Sequence, residues 1–120
     1  MTDYYDRDLQ PINGYSNYKT KWGGSRVLQT NAGGYRVSTV WLGLDHSYSG
    51  DGPIVFETMI WDGEGEEVYE TRHHSEEEAA RWHLRALDAI RAGKTPDYSD
   101  DHWMETTPDR TPYTLPEDQR

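Results

Sequence analysis

The stretch Val37–Trp61, VSTVWLGLDHSYSGDGPIVFETMIW, decides the fold. Two apolar runs, Val37–Leu44 and Pro53–Trp61, flank the polar, glycine-containing loop Asp45–Gly52, the layout of a β-hairpin with a long connection. Alternation places Val37, Thr39, Trp41 and Gly43 on one side of the first strand, with Ser38, Val40, Leu42 and Leu44 on the other. The return strand splits into Ile54, Phe56, Thr58, Ile60 and Val55, Glu57, Met59, Trp61. Neither side is plainly polar, so both faces are expected to be covered. With Asp45 set opposite Ile54, Leu42 faces Glu57, a carboxylate that must be paired, hydrogen-bonded or at a wet edge.

Upstream, residues 1–21 mix Asp, Tyr, Asn and Gly without a period and read as an irregular leader whose first ten residues are disordered. The domain proper spans 22–93. Arg26–Thr30 is its first short strand, and Asn31-Ala32-Gly33-Gly34 is a hairpin turn. Downstream, Asp62-Gly63-Glu64-Gly65 is a second turn and Glu66–Arg72 an edge strand whose glutamates discourage pairing with another sheet. Ser75-Glu76-Glu77-Glu78 is a capping box, and Gly93 marks the helix end. Between them Ala80, His83, Leu84, Leu87 and Ile90 share one helical face, and Trp82 points roughly opposite. The fold class is therefore α+β, a four-stranded antiparallel β-meander packed against one C-terminal α-helix. Residues 94–120 hold four of the six prolines and no sustained apolar period. They read as an extended or disordered acidic tail, with Trp103, Met104 and Tyr113 as docking anchors.

Composition narrows the function. A mean hydropathy of −1.04 leaves a small core in which 5 Trp and 9 Tyr supply much of the buriable area. With no Cys there is neither a disulfide framework nor a thiolate. No apolar run is long enough for a membrane span, and the N-terminus lacks a signal pattern, so a cytoplasmic protein is expected. The net charge of −10 is concentrated in residues 62–78, with eight acids against one base, and in the tail. That balance argues against nucleic-acid binding, which needs clustered Lys and Arg.

Candidate ligand-binding residues are Asp45, His46, Glu57, Thr58 and His83. If the helix covers the Glu57 side of the hairpin, Glu57 and His83 meet as a carboxylate–imidazole pair beside Asp45 and His46 at the loop end. The bland alternative is a buried architectural pair. Tyr35, Trp41, Trp61 and Tyr69 are assigned to the second sheet face as a candidate interface, favouring a homo-oligomer. No metal and no cofactor is expected. His73 and His74 are adjacent on a strand, and no H-E-x-x-H, G-x-S-x-G or phosphate-loop pattern occurs.

The words RVLQT, VSTVWLGLDH and GPIVFETMIW, followed by the capped helix with His83, resemble a family of small uncharacterised proteins of bacteriophages, prophages and some bacteria. The resemblance covers roughly residues 22–92 and implies a phage or prophage setting with little indication of chemistry. The leading expectation is a non-enzymatic accessory protein that binds a host protein or a small ligand. The alternatives are a small acid–base enzyme or ligand-sequestering protein using Asp45, His46, Glu57 and His83, and a virion structural component.

Overall fold

The computed structural model describes residues 4–13, 26–47 and 52–108. In chain order the elements are β1 (Tyr4–Tyr5), β2 (Pro11–Ile12), β3 (Arg26–Ala32), β4 (Tyr35–Trp41), β5 (Phe56–Trp61), β6 (Glu67–His73) and α1 (Glu76–Arg91). Strands β3–β4–β5–β6 form one antiparallel meander, and β1–β2 a separate hairpin. The α+β assignment holds.

Local chemistry explains the boundaries. Gly33 and Gly34, at φ 56° and 84°, form the two-residue turn between β3 and β4, where both positions need the left-handed region. Ser75 caps α1 by accepting a hydrogen bond from the Glu78 N–H at 3.1 Å. Three glutamates occupy the first turn, at the positive end of the helix dipole. Gly93, at φ 91°, ends the helix in a Schellman motif, with Gly93 N–H donating to Ile90 O and Lys94 N–H to Ala89 O.

All described elements outside the sheet lie on one of its sides. Helix α1 packs against that side through Ala79, Ala80, His83, Ala86, Leu87, Ala89 and Ile90. One apolar cluster joins Val37 and Ile60 to Leu87 and Ile90, and a second joins Trp41, Val55 and Phe56 to Ile12, Ala79 and Ala80. Among the described residues, no helix or strand packs on the opposite side, termed the open face below; Ser38 and Glu57 on it are buried, whereas Gln29, Asn31 and Arg36 at its turn end are exposed. No described helix is long and apolar enough to cross a membrane.

Four sequence expectations change. The leader is ordered from Tyr4 to Asn13: Tyr5 N–H donates to Gly43 O at 2.7 Å, and Trp41 Nε1–H donates to Tyr5 O at 2.8 Å. That docking also resets the hairpin. Gly43 and Leu44 leave the ladder to bond the leader, so Val40 and not Leu42 stands opposite Glu57. The shift of two residues keeps every side chain on its original side. Tail residues up to 108 fold back, burying Trp103 and Met104 beside α1, while Arg85 Nε–H donates to Thr107 O at 2.7 Å and Nη2–H to Met104 O at 3.0 Å. Trp82 does not point away from the core but stacks on Tyr69, centroids 5.9 Å apart, and meets Trp103 edge-on. Tyr113 lies outside the described residues.

Replacing Trp103 by Ala is expected to lower the unfolding free energy by about 3 kcal/mol in urea titration, the loss typical of a buried Trp. A change within about 0.5 kcal/mol, as for a solvated tail residue, would contradict the docking.

Candidate functional site

A chain of five polar side chains lies between α1 and the sheet, one from each principal element. Thr30 Oγ1 of β3 is 3.1 Å from His83 Nε2 of α1, and His83 Nδ1 is 2.8 Å from Thr39 Oγ1 of β4. Thr39 and Thr58 are cross-strand partners whose hydroxyls share a 2.6 Å hydrogen bond. Thr58 Oγ1 is in turn 3.0 Å from His73 Nε2 of β6. Thr39, Thr58 and His83 have no solvent exposure, and His73 has 2%.

Proton counting gives the chain a direction. The Glu78 carboxylate stands 3.8 Å from His73 Nδ1 and favours a proton there. His73 Nε2 then accepts from Thr58, Thr58 from Thr39, Thr39 from His83 Nδ1–H, and His83 Nε2 from Thr30. Each proton is used once; both His83 nitrogens and His73 Nε2 are hydrogen-bonded, and His73 Nδ1 faces the Glu78 carboxylate. Burial lowers the pKa of both imidazoles to about 4, His74 adding to the effect at His73 and His73 at His83. Both are neutral hydrogen-bonding groups at pH 7.

Glu57 is not part of this chain. Its cross-strand partner Val40 has the opposite parity from Thr39, which reaches His83, so Glu57 points to the open face. The expected Glu57–His83 pair is therefore contradicted, because α1 covers the threonine side of the hairpin. Glu57 instead accepts from Arg72 Nε–H at 3.1 Å, and Arg72 Nη2 lies 3.3 Å from Glu70. A hydrogen bond with Glu57, then burial, then the Glu57 charge raise the Glu70 pKa above its ordinary value. Asp45 structures its loop: Oδ1 accepts from Ser47 N–H at 2.8 Å and Ile54 N–H at 3.0 Å. Burial opposes its charge, but those backbone donors outweigh it and hold the carboxyl below its ordinary range. His46 stands near Arg72 and Glu70; partial burial, then Arg72, lowers its pKa.

The candidate interface also divides. Trp41 is buried on the helix side, Tyr69 stacks on Trp82, and Tyr35 packs against the Val37–Ile60 cluster. Only Trp61 faces the open side, where the Arg36 guanidinium lies 4.5 Å above its ring. Beside it is a groove of about 520 Å³ lined by Gln29, Asn31, Arg36, Trp61 and Asp62. Sequence reasoning missed this site because single polar residues on short strands resemble any solvated face. The one available signal was strand parity, which places Gln29, Asn31, Arg36 and Trp61 together once the meander is drawn. Among the described residues no His or carboxylate group of three is arranged to hold a metal ion.

The fold and site define a class only in structural terms, a four-stranded meander with one helix and a sealed Thr–His chain. No family model matches the chain, and no curated protein or solved structure matches it significantly.

The buried imidazoles make stability depend on pH. Between the ordinary value near 6.5 and the folded value of about 4, the unfolded chain binds more protons, so stability falls as pH falls through that window. Each histidine accounts for about 3 kcal/mol across it. Urea unfolding from pH 7 to 4.5 is expected to show this loss, and His83→Gln to give a distinctly shallower slope. An unchanged slope would contradict the assignment.

Proposed function

We propose that this chain is a non-enzymatic binding protein that holds a small ligand on the open face of its sheet, in the groove beside Trp61. The observation that carries the reading is the contrast between the two faces. On the helix side the imidazoles are sealed and their ring nitrogens are hydrogen-bonded or aimed at a carboxylate, leaving no group to meet a substrate. On the open face, Gln29, Asn31 and Arg36 are exposed around a hollow of ligand size. The separation of Glu57 from His83 removes the pair on which the acid–base alternative relied.

In this reading the protein acts as an accessory factor in the host cytoplasm. The phage or prophage setting rests on the sequence resemblance alone. Homo-oligomerisation loses much of its motivation, because three of the four aromatics assigned to an interface lie on the helix side.

A thermal-shift screen of the full chain against a metabolite library tests the reading. Ligands at saturating concentration are expected to raise the wild-type melting temperature by about 4 °C or more and to leave Trp61→Ala unshifted. Ligands that stabilise both proteins equally, or none that stabilises the wild type, would contradict it.

A further inference from the structure

The groove has a composition that specifies more than its position. Asn31, Arg36 and Trp61 are successive cross-strand partners on β3, β4 and β5, so their side chains stand in one row. Gln29 lies two residues before Asn31 on the same face of β3, at the edge of the same hollow. The turns flanking the row come together at its end: a Cβ on Gly63 would lie 3.4 Å from Gly34 O. Asp62 closes that end. Its Oδ1 accepts from Glu64 N–H at 2.9 Å and Glu66 N–H at 3.0 Å, which fixes the carboxylate and leaves Oδ2 directed elsewhere.

The hollow thus offers two primary amides, each both donor and acceptor, a guanidinium with five N–H groups, a carboxylate oxygen and an indole. Among the described residues the exposed side chains of Gln29 and Asn31 have no hydrogen-bond partner, their backbones being engaged in the β3–β4 ladder. Arg36 has no carboxylate partner, its contact being the indole at 4.5 Å. These planar groups suit a ligand rich in adjacent hydroxyls, because each can bridge two neighbouring oxygens, and every hydroxyl both donates and accepts. The indole carries the Arg36 guanidinium over one face and leaves its remaining apolar surface for the C–H side of a ring.

Charge selects among such ligands. Arg36 and Asp62 balance within the groove, while Glu64 and Glu66 follow Asp62 in its turn and Glu67 is the cross-strand partner of Trp61, in a chain of net charge −10. A ligand bearing several phosphates or carboxylates meets repulsion from those glutamates and from the net negative charge of the chain. A neutral ligand meets no such repulsion. The volume of about 520 Å³ falls among ordinary ligand sites.

We propose that this groove binds a neutral saccharide, with Trp61 as the ring platform and Gln29, Asn31, Arg36 and Asp62 as hydroxyl partners. The proposal rests on the reading of the open face as a ligand-binding surface and names the ligand class for it.

The test uses the full-length chain on an array of neutral oligosaccharides of glucose, galactose, mannose and N-acetylglucosamine, with uronic-acid and phosphorylated sugars alongside. Calorimetric titration with the best-bound sugar follows. Binding by neutral sugars is expected, weakened about tenfold or more by Trp61→Ala and by Asn31→Ala. Asn31 is exposed, so its variant keeps the wild-type melting temperature and separates recognition from folding. Binding confined to the acidic sugars would overturn the neutral assignment. Binding unaffected by Asn31→Ala and Trp61→Ala would overturn the site. If no sugar binds while another small molecule from the metabolite screen is lost on Trp61→Ala, the saccharide assignment falls and the ligand-binding face stands. If that screen also finds no ligand dependent on Trp61, both fall.

Discussion

A buried polar group must find a partner, and here that requirement links every strand of the meander to the helix. Thr30, Thr39, Thr58 and His73 come from β3, β4, β5 and β6 in turn, and His83 from α1. An unpaired hydroxyl or imidazole at this depth would cost about 1–3 kcal/mol, so the chain favours the one register in which all five meet. A slip of one residue in β4 or β5 would carry its threonine to the open face and leave His83 or His73 unsatisfied. The apolar clusters on either side supply the driving force for burial, and the hydrogen-bonded chain supplies its specificity.

That arrangement separates the two faces in character. The helix side is largely buried and given over to packing, strengthened by the leader at Gly43 and Trp41 and by the tail on Tyr69 and Trp82. The open face carries the remaining polar chemistry in rows set by strand pairing. Arg72 lies between Glu57 and Glu70 toward the loop end, and Asn31, Arg36 and Trp61 stand at the turn end. Strand pairing gives those side chains a fixed spacing.

What the sequence made legible was mostly local. Ser75, Glu78 and Gly93 act within a few residues of themselves, so the capping box and the helix stop could be read directly. Gly33-Gly34 and the alternation in β4 and β5 were equally readable. The side of the sheet that α1 covers is a long-range choice: alternation groups Glu57 with Met59 and Trp61 but does not say which group meets the helix. Glu57 drew attention as a charge among apolar residues, whereas Thr39 and Thr58 looked unremarkable although they hold His83. A sharper signal was present in four threonines, Thr30, Thr39, Thr58 and Thr71, recurring on successive strands with two histidines nearby. The ordered leader and tail depend on single anchors such as Tyr5 and Trp103, which have no period to detect.

The sealed Thr–His chain is tested most directly by diethylpyrocarbonate labelling of the native protein at pH 7, read histidine by histidine by mass spectrometry. His102, exposed on the tail, is expected to react rapidly, while His73 and His83 stay unmodified until urea unfolds the chain. Modification of His83 in the folded protein at a rate close to that of His102 would contradict the account.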